Sequence, residues 1–240
     1  MALFVFQARP RVRARRRFST GAASAIAACR GAEIALIVTA RAFIEKAKLQ
    51  ALVAALEPHA TILYLEDVKK EIGVVSRVAA LVRSMLATPN HRPARANDPA
   101  LVLFTSGSEG TPKGVVLSHR NLLANRYQLA SVVDISPRDI VFNALPVFHS
   151  FGLTGGLLMP LLAGARTFLY PSPLHYRTVP ELVYGVNATI LFGTDTFLSG
   201  YARVADNYDF YSVRYIFAGA ERVKPETRRV WFEKFGIRIL

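Results

Sequence analysis

The sequence predicts an α/β fold with a largely parallel sheet flanked by helices. Two short runs, ALIVT (35–39) and TILYL (61–65), are apolar throughout, as strands buried on both faces of a parallel sheet are. Between them, residues 43–56 carry apolar side chains at helical spacing. A strand, a helix and a second strand at this spacing form a βαβ unit.

The other elements of the first half follow in order. A helix of small residues precedes the first strand, and a further helix covers about Val75 to Leu86. Residues 87–100 contain three prolines and no periodicity, which predicts a surface connection. Next come a strand at 101–104, a loop, a strand near 115–117 and a helix that opens around 118–121.

In the second half, VFNALPVFH (141–149) predicts a strand that runs into a loop. The apolar run at 151–165 predicts a buried helix interrupted by its glycines and by Pro160. Three more strands are predicted at TFLY (167–170), ATILFG (188–193) and VRYIFAGA (213–220), with helices near 178–186, 195–206 and 224–236.

The composition is that of a folded globular protein. A chain of 240 residues with 52% hydrophobic and 20% charged residues can bury a large core. Its one cysteine, Cys29, cannot form an intramolecular disulfide, which favours a reducing compartment and excludes a cysteine-based zinc or iron–sulfur site. We therefore expect a cytoplasmic protein.

The net charge of +13 is concentrated at the start of the chain. Residues 1–32 contain seven arginines and no acidic residue, so they supply +7 of it. Since no zinc-finger spacing, RNA-binding aromatic signature or basic helical stripe accompanies this charge, we predict no nucleic-acid partner. An export signal or an organelle transit peptide are alternative interpretations. We favour a disordered start over residues 1–20, followed by one domain over 21–240.

The stretch LVLFTSGSEGTPKGVVLSH (101–119) predicts an anion-binding loop between two strands. Its glycines allow backbone N–H groups to turn toward a ligand, its hydroxyls donate hydrogen bonds, and Lys113 suits phosphate. It is not a Walker A loop, because Lys113 follows Pro112 and precedes Gly114. A flexible surface hairpin loop is the alternative.

The string TSGSEGTPKG resembles the phosphate-binding signature of the adenylate-forming superfamily, which includes acyl-CoA synthetases, luciferases and peptide-synthetase adenylation domains. The resemblance extends from about Gly21 to the last residue, and it implies the N-terminal part of that enzyme fold. It also implies that ATP donates an adenylyl group to a carboxylate and releases pyrophosphate. The residues that would surround the β- and γ-phosphates of ATP are Thr105, Ser106, Gly107, Ser108, Gly110, Thr111 and Lys113.

Three later motifs are similar to the same superfamily. LPVFHSFG (145–152) and FGTDTF (192–197) resemble segments that border the acyl pocket, and AGAERV (218–223) resembles the turn beneath adenine. A satisfied core histidine in the first motif, and an ordinary helix-start charge at Glu221, are the alternatives. The small residues of 151–165 would suit an acyl tunnel. The implied substrate-binding residues are Phe148, His149, Gly152, Gly193 and Thr194, and the implied nucleotide-binding residues are Gly219, Ala220 and Glu221.

At the level of subfamily, the sequence resembles the synthetase part of bacterial acyl-ACP synthetases, which are often fused behind a lysophospholipid acyltransferase domain. It is also similar to long-chain fatty acyl-CoA ligases. None of the five histidines has an aspartate five residues later, so the sequence contains no acyltransferase site.

The superfamily's next signature, Glu-Gly-Tyr-Gly-x-Thr-Glu, would follow a stretch such as WFEKFGIRIL, with which this sequence ends at Leu240. We therefore expect an enzyme that is incomplete at its C-terminus, without the Mg²⁺ ligand, the ribose-binding aspartate and the adenylation lysine. No catalytic residue is assigned.

The predicted function is ATP- and Mg²⁺-dependent activation of a fatty acid to acyl-AMP, for transfer to CoA or to acyl carrier protein. A missing C-terminal half or an upstream acyltransferase domain would be its partner. The alternative is a catalytically inactive remnant that at most binds nucleotide. A third hypothesis is association with the inner face of the membrane, through the arginine-rich start and the apolar helix of 151–165.

Overall fold

The computed structural model describes residues 13–15, 21–85, 95–106 and 112–240. The chain divides into two compact units, residues 1–119 and 120–240.

The described residues of the first unit form helices and two small sheets. The elements are β1 (Arg13–Arg15), α1 (Ala22–Gly31), β2 (Leu36–Thr39), α2 (Arg41–Lys46), α3 (Gln50–Leu56), β3 (Thr61–Tyr64), α4 (Leu65–Glu71), α5 (Val74–Met85), β4 (Pro99–Ser106) and β5 (Pro112–Ser118). One sheet is a parallel pair, β2 and β3, and the other has the strand order β1-β4-β5. The core between α1, α3 and the parallel pair includes Ala25, Cys29 and Leu56.

The predicted βαβ unit is confirmed, with two corrections. Leu36 pairs with Thr61 in parallel register, as expected. The helix expected over 43–56 is two helices, because Lys48 adopts a left-handed conformation (φ 53°) that ends α2. The strands are half-exposed rather than buried on both faces, since the described residues place no third strand in this sheet.

Strands β4 and β5 form an antiparallel hairpin, which is the exception to the predicted parallel pairing. Leu101 lies opposite Leu117, and the pairing continues to Ser106 and Pro112. The two strands are longer than the apolar runs that predicted them, since the ladder extends into the polar residues on either side of the loop. Within the arginine-rich start, β1 pairs in parallel with β4.

The second unit is built on a four-stranded parallel sheet with the order β7-β6-β8-β9. Its strands and helices agree with the predicted ones to within a few residues. The elements are α6 (His119–Ala130), β6 (Ile140–Asn143), α7 (Ser150–Leu153), a π-helical turn (Thr154–Leu158), α8 (Met159–Leu162), β7 (Arg166–Leu169), α9 (Thr178–Gly185), β8 (Ile190–Gly193), α10 (Asp195–Val204), β9 (Tyr215–Ala218) and α11 (Pro225–Phe235).

Helices cover both faces of this sheet, which fixes its strand residues in place. Alternate residues point to opposite faces, so Phe142, Leu191 and Ile216 pack against α9, α10 and the buried Trp231 of α11. Val141 and Ile190, on the other face, pack against Met159 of α8. The carboxyl ends of the strands are thus held at a common edge.

The apolar run at 151–165 is largely buried up to Pro160, as predicted, whereas Leu161 and Leu162 are exposed. Its interruption has a defined form. The chain passes from α7 through the π-helical turn into α8, with Gly155 and Gly156 in the wide turn. The Thr167 hydroxyl donates to the Gly156 carbonyl oxygen at 2.8 Å. Among the helices of the described residues, none has the length and apolar content needed to cross a membrane.

Candidate functional site

The first group of predicted site residues lies at the end of the β4–β5 hairpin. Thr105 and Lys113 face each other across the two strands, and the Thr105 hydroxyl lies 3.5 Å from the Lys113 carbonyl oxygen. Both side chains are exposed. Ser106 pairs with Pro112 one step closer to the loop. The rest of the predicted phosphate cradle, Gly107, Ser108, Gly110 and Thr111, lies outside the described residues and stays a prediction.

The other predicted residues gather at the carboxyl edge of the four-stranded sheet. The turns after β6, β8 and β9 carry them: 144–152, 194–195 and 219–224. The strand order reverses direction between β6 and β8, which is the point at which open α/β sheets bind ligands. The topology therefore supports a site in this position.

Asn143 fixes the turn that follows β6. It is 1% exposed, and its Oδ1 accepts from the Leu145 N–H at 3.0 Å while its Nδ2 donates to the Gly152 carbonyl at 3.1 Å. The amide thereby ties both ends of the motif at 145–152 to the end of β6. Gly156 lies against the same amide, since a Cβ there would be 2.1 Å from Asn143 Cγ.

His149 is exposed, so it is not a buried core histidine. Its Nδ1 accepts from the Phe151 N–H at 3.3 Å at the start of α7. Phe148, one residue earlier, is half-buried. Gly152 is the tightest position of the turn, because a Cβ there would lie 2.4 Å from the Pro146 carbonyl oxygen. The glycine lets the helix start beside the preceding backbone.

Phe151 connects the turns that follow β6 and β9. Its ring packs edge-on against Phe192 with centroids 5.4 Å apart, and a Cβ on Gly219 would lie 3.2 Å from its ring. Phe192 in turn stacks on Phe217 at 5.2 Å. An aromatic wall therefore lies beneath this edge, and Gly155 fits against it because a Cβ would lie 2.5 Å from the Phe192 ring.

The turn after β9 has a constrained backbone. The Gly219 N–H donates to the Gly193 carbonyl at 3.3 Å, which links this turn to the end of β8. Ala220 follows with φ of 66°, a left-handed conformation that costs a non-glycine residue about 1 kcal/mol. Such strain at a sheet edge is typical of functional turns.

The Glu221 carboxylate is hydrogen-bonded to the N-terminal turn of α10. Its Oε1 accepts from the Thr196 N–H at 3.2 Å and its Oε2 from the Thr196 hydroxyl at 3.0 Å. The neighbouring Thr194 hydroxyl and these two donors lower the pKa of Glu221, against the opposing effect of burial. Glu221 therefore does place its charge at the N-terminus of a helix, which was the alternative to nucleotide binding. The helix is α10, however, and not α11, which follows Glu221 in sequence. A role at the nucleotide stays a prediction.

Thr194 places its hydroxyl beside Glu221 at this edge. Its Oγ1 is buried and, among the described residues, has no partner within ordinary hydrogen-bond geometry, but it lies close enough to Glu221 to lower the pKa of that carboxyl. A hydroxyl has one proton and two acceptor lone pairs. Since the proton faces the Glu221 carboxylate, the Thr194 oxygen is suited to accept from a ligand at the end of β8.

Two residues that form the site were not predicted from the sequence. Asn143 is one; the pattern that could have indicated it is a polar residue at the end of an apolar strand, two residues before the LPVFHSFG motif. The other is Asp195, 3% exposed, whose Oδ1 accepts from the Lys224 N–H at 2.9 Å and so joins α10 to α11. Burial raises the pKa of Asp195, but the hydrogen bonds from Lys224 and Thr227 lower it overall.

A metal site does not emerge from the described part of the chain. There, no group of three or more histidine, cysteine, aspartate or glutamate side chains is placed to hold a metal ion. We therefore assign no Mg²⁺ ligand.

Comparison with known proteins decides the family. The profile of the AMP-binding enzyme family matches residues 17–240, almost the whole chain. The chain belongs to the AMP-binding enzyme family. This confirms the resemblance that the phosphate-loop motif first indicated.

Curated relatives within this family are CoA ligases. Over 147 residues the chain is 31% identical to the probable 4-coumarate–CoA ligase 1 of Dictyostelium discoideum, a match that covers 60% of the chain and 26% of the relative. Over 173 residues it is 31% identical to the benzoate–CoA ligase of Thauera aromatica, covering 65% and 31%. The chain thus matches about a quarter to a third of these relatives' length.

A solved structure shows the same fold. The benzoate CoA ligase of Burkholderia xenovorans LB400 superposes with a TM-score of 0.75 at 18% identity, and covers 95% of this chain but 44% of that one. The predicted adenylate-forming fold is confirmed. These AMP-binding relatives give no support to the predicted acyl carrier protein or to an upstream acyltransferase.

Proposed function

We propose that this chain carries the nucleotide- and acyl-binding parts of an ATP-dependent acid–thiol ligase. In this reaction a carboxylate oxygen attacks the α-phosphorus of ATP, giving acyl-AMP and pyrophosphate. A thiol then displaces AMP and forms a thioester. The observation that carries the proposal is the convergence of three predicted motifs on one edge of the second unit's sheet, in a chain of the AMP-binding family.

The described residues suggest how each unit would contribute. In the first unit, the exposed Lys113 ammonium and Thr105 hydroxyl would bind phosphate oxygens beside the loop. In the second unit, the Thr194 oxygen would accept from a donor group of the acyl-adenylate, and the Phe151–Phe192 wall would exclude water from it. The reaction needs Mg²⁺ to neutralise phosphate charge.

For the substrate, we propose a fatty acid, and for the acceptor CoA or acyl carrier protein. The sequence resemblance supports the fatty acid, and the names of the relatives favour CoA. An aromatic carboxylate is a second candidate, because the partly buried rings of Phe151 and Phe217 lie beneath this edge, packed on the buried Phe192 ring. A cytoplasmic location, including the inner face of the membrane, stays a prediction.

Nucleotide binding is tested first, by calorimetric titration of the full-length chain with Mg-ATP. We expect saturable binding that weakens at least about tenfold in Lys113→Ala, the equivalent of about 1.4 kcal/mol. Lys46→Ala, which removes an exposed lysine of α2, is the matched control and should bind like the unchanged chain. Equal affinity in the Lys113 and Lys46 variants would place the nucleotide elsewhere.

Chemistry is tested by ATP–pyrophosphate exchange with added carboxylates. Exchange that depends on palmitate supports fatty acid activation, and exchange that depends on benzoate supports the aromatic alternative. Hydroxylamine trapping identifies the activated acyl group in either case. Mg-ATP binding without exchange for any acid, from the chain alone or mixed with a C-terminal half of a relative, would indicate the inactive remnant.

A further inference from the structure

Helix α5 of the first unit presents an apolar surface to solvent. None of its residues is buried, and its large apolar side chains are between 48% and 83% exposed. Because helical residues are about 100° apart, these side chains project within an arc of about 120°. We call this arc the α5 apolar face; its members are Val74, Val75, Val78, Leu81, Val82 and Met85.

The charges on α5 are all positive and lie on both sides of this face. Arg77 and Arg83 are its only charged residues. By the helical angle, Arg77 lies about 40° beyond one edge of the face and Arg83 about 80° beyond the other. Arg77 Nη2 donates to the Lys69 carbonyl at 3.3 Å. The preceding helix α4 carries Lys69 and Lys70 but also Glu66, Asp67 and Glu71, so the positive charge beside the face comes from Arg77 and Arg83.

We propose that the α5 apolar face binds the surface of an anionic membrane. Its valine, leucine and methionine side chains would lie among the upper acyl chains, with the helix parallel to the surface. Arg77 would extend sideways to lipid phosphates, with its aliphatic stem against the apolar layer, and Arg83, farther round the helix, would add attraction to the anionic surface. An apolar stripe flanked by basic residues, in a helix without acids, is the pattern of helices that bind in this way.

A second copy of the chain fits this surface less well. A helix of 12 residues is about 18 Å long and 10 Å wide, so its face offers about 200 Å². A stable protein interface needs about 800 Å² from each partner. In addition, α5 has no acidic residue to pair with the arginines of a second α5. The size and the charge of the face therefore favour lipid.

The α5 apolar face is a better candidate for membrane binding than the apolar run at 151–165, which the sequence suggested. Most of the apolar run at 151–165 is packed in the core of the second unit, with Leu153 and Met159 at 0% and 3% exposure, and its large apolar side chains reach the surface at Leu161 and Leu162. It therefore offers a smaller apolar surface than α5. The α5 proposal is also independent of ligase activity, because vesicle binding needs neither ATP nor a carboxylate. Failure of one proposal can therefore be told from failure of the other.

The test is sedimentation of the full-length chain with vesicles of pure phosphatidylcholine, or with about one quarter phosphatidylglycerol. We expect binding to the anionic vesicles that decreases with added salt. The double variant Val78→Asp/Leu81→Asp should bind at least tenfold more weakly, because it places charge at the centre of the face. Val132→Asp, at a valine 78% exposed in the second unit, is the matched control and should bind normally.

The arginines are tested separately. Arg77→Ala and Arg83→Ala should each weaken binding to anionic vesicles about fivefold and leave binding to pure phosphatidylcholine unchanged. Three outcomes would overturn the proposal. They are no binding to anionic vesicles, binding that the Val78/Leu81 variant retains, and a wild-type dimer that this variant converts to monomer. Circular dichroism of each variant verifies that the helix is intact.

Discussion

Replacing Asn143 with alanine should destabilise the second unit without altering any exposed surface. The side chain is buried at the end of β6 and joins the Leu145 N–H to the Gly152 carbonyl oxygen. Alanine removes both hydrogen bonds at once. It also opens a space beside Gly156, whose backbone lies directly against the amide.

The magnitude follows from the two partners that lose their hydrogen bonds. Each buried backbone group left unsatisfied costs about 1–3 kcal/mol. Partial solvation through the turn should reduce the sum, so we expect a loss of about 3 kcal/mol from the free energy of unfolding. The turn that presents Phe148 and His149 should become mobile at the same time.

Urea unfolding followed by tryptophan fluorescence measures this loss in the second unit alone. Trp231 is the single tryptophan of the sequence, it is fully buried, and its Nε1 donates to the Leu198 carbonyl at 3.0 Å. Asn207→Ala, which truncates an exposed asparagine of the same unit, should change stability by less than about 0.5 kcal/mol. If Asn143→Ala is no more destabilising than Asn207→Ala, the amide does not hold the turn.

Three further predictions use the same fluorescence assay. Gly152→Ala should cost about 2–3 kcal/mol, because its Cβ would lie 2.4 Å from a backbone oxygen; no measurable loss would refute that contact. Ala220→Gly should gain up to about 1 kcal/mol by relieving the left-handed strain at φ 66°, and a loss would contradict the strain. Burial raises the pKa of Asp139, but hydrogen bonds from Ser136 and Thr189 lower it overall below its ordinary value of 3.8. Because the folded pKa is depressed, this stabilisation is present above pH 3.8 and lost as the pH falls through the folded value. Asp139→Asn should flatten that acid dependence, and an unchanged slope would refute the assignment.

The strands and helices of the second unit could be predicted closely because each strand is centred on a short apolar run. ATILFG and VRYIFAGA contain β8 and β9; β8 is buried at all four residues, and Ile216 of β9 is fully buried. The burial of the strands in the first unit was harder to predict. Its strands at 36–39 and 61–64 have the same apolar character, yet they form only a half-exposed pair. A local pattern reports that a strand forms, but the number of neighbouring strands and helices decides how far it is buried.

The position of the site could be predicted from the sequence, but the contacts that form it could not. Motif resemblance selected the turns after β6, β8 and β9, and the topology brings those turns to one edge. The long-range pairings that hold the turns together were not predicted, since their partners are distant in sequence. Glu221 caps a helix that begins 26 residues earlier, and Asp195 binds a backbone group 29 residues later. Pairings over such distances depend on the crossover connections of the sheet, which no local spacing encodes.

The glycines of the apolar run show that the composition of a motif does not by itself establish its structural role. In sequence, Gly155 and Gly156 suggested open space for an acyl tunnel. In the structure, the Phe192 ring and the Asn143 amide occupy the space that a side chain would need. These glycines therefore allow the π-helical turn to pack against β6 and β8, and enlarging them should unfold the edge rather than shorten a tunnel. For the proposed ligase, we therefore expect selectivity among carboxylates to depend on Phe148 and His149. The Phe148 side chain is partly exposed and the His149 side chain is exposed.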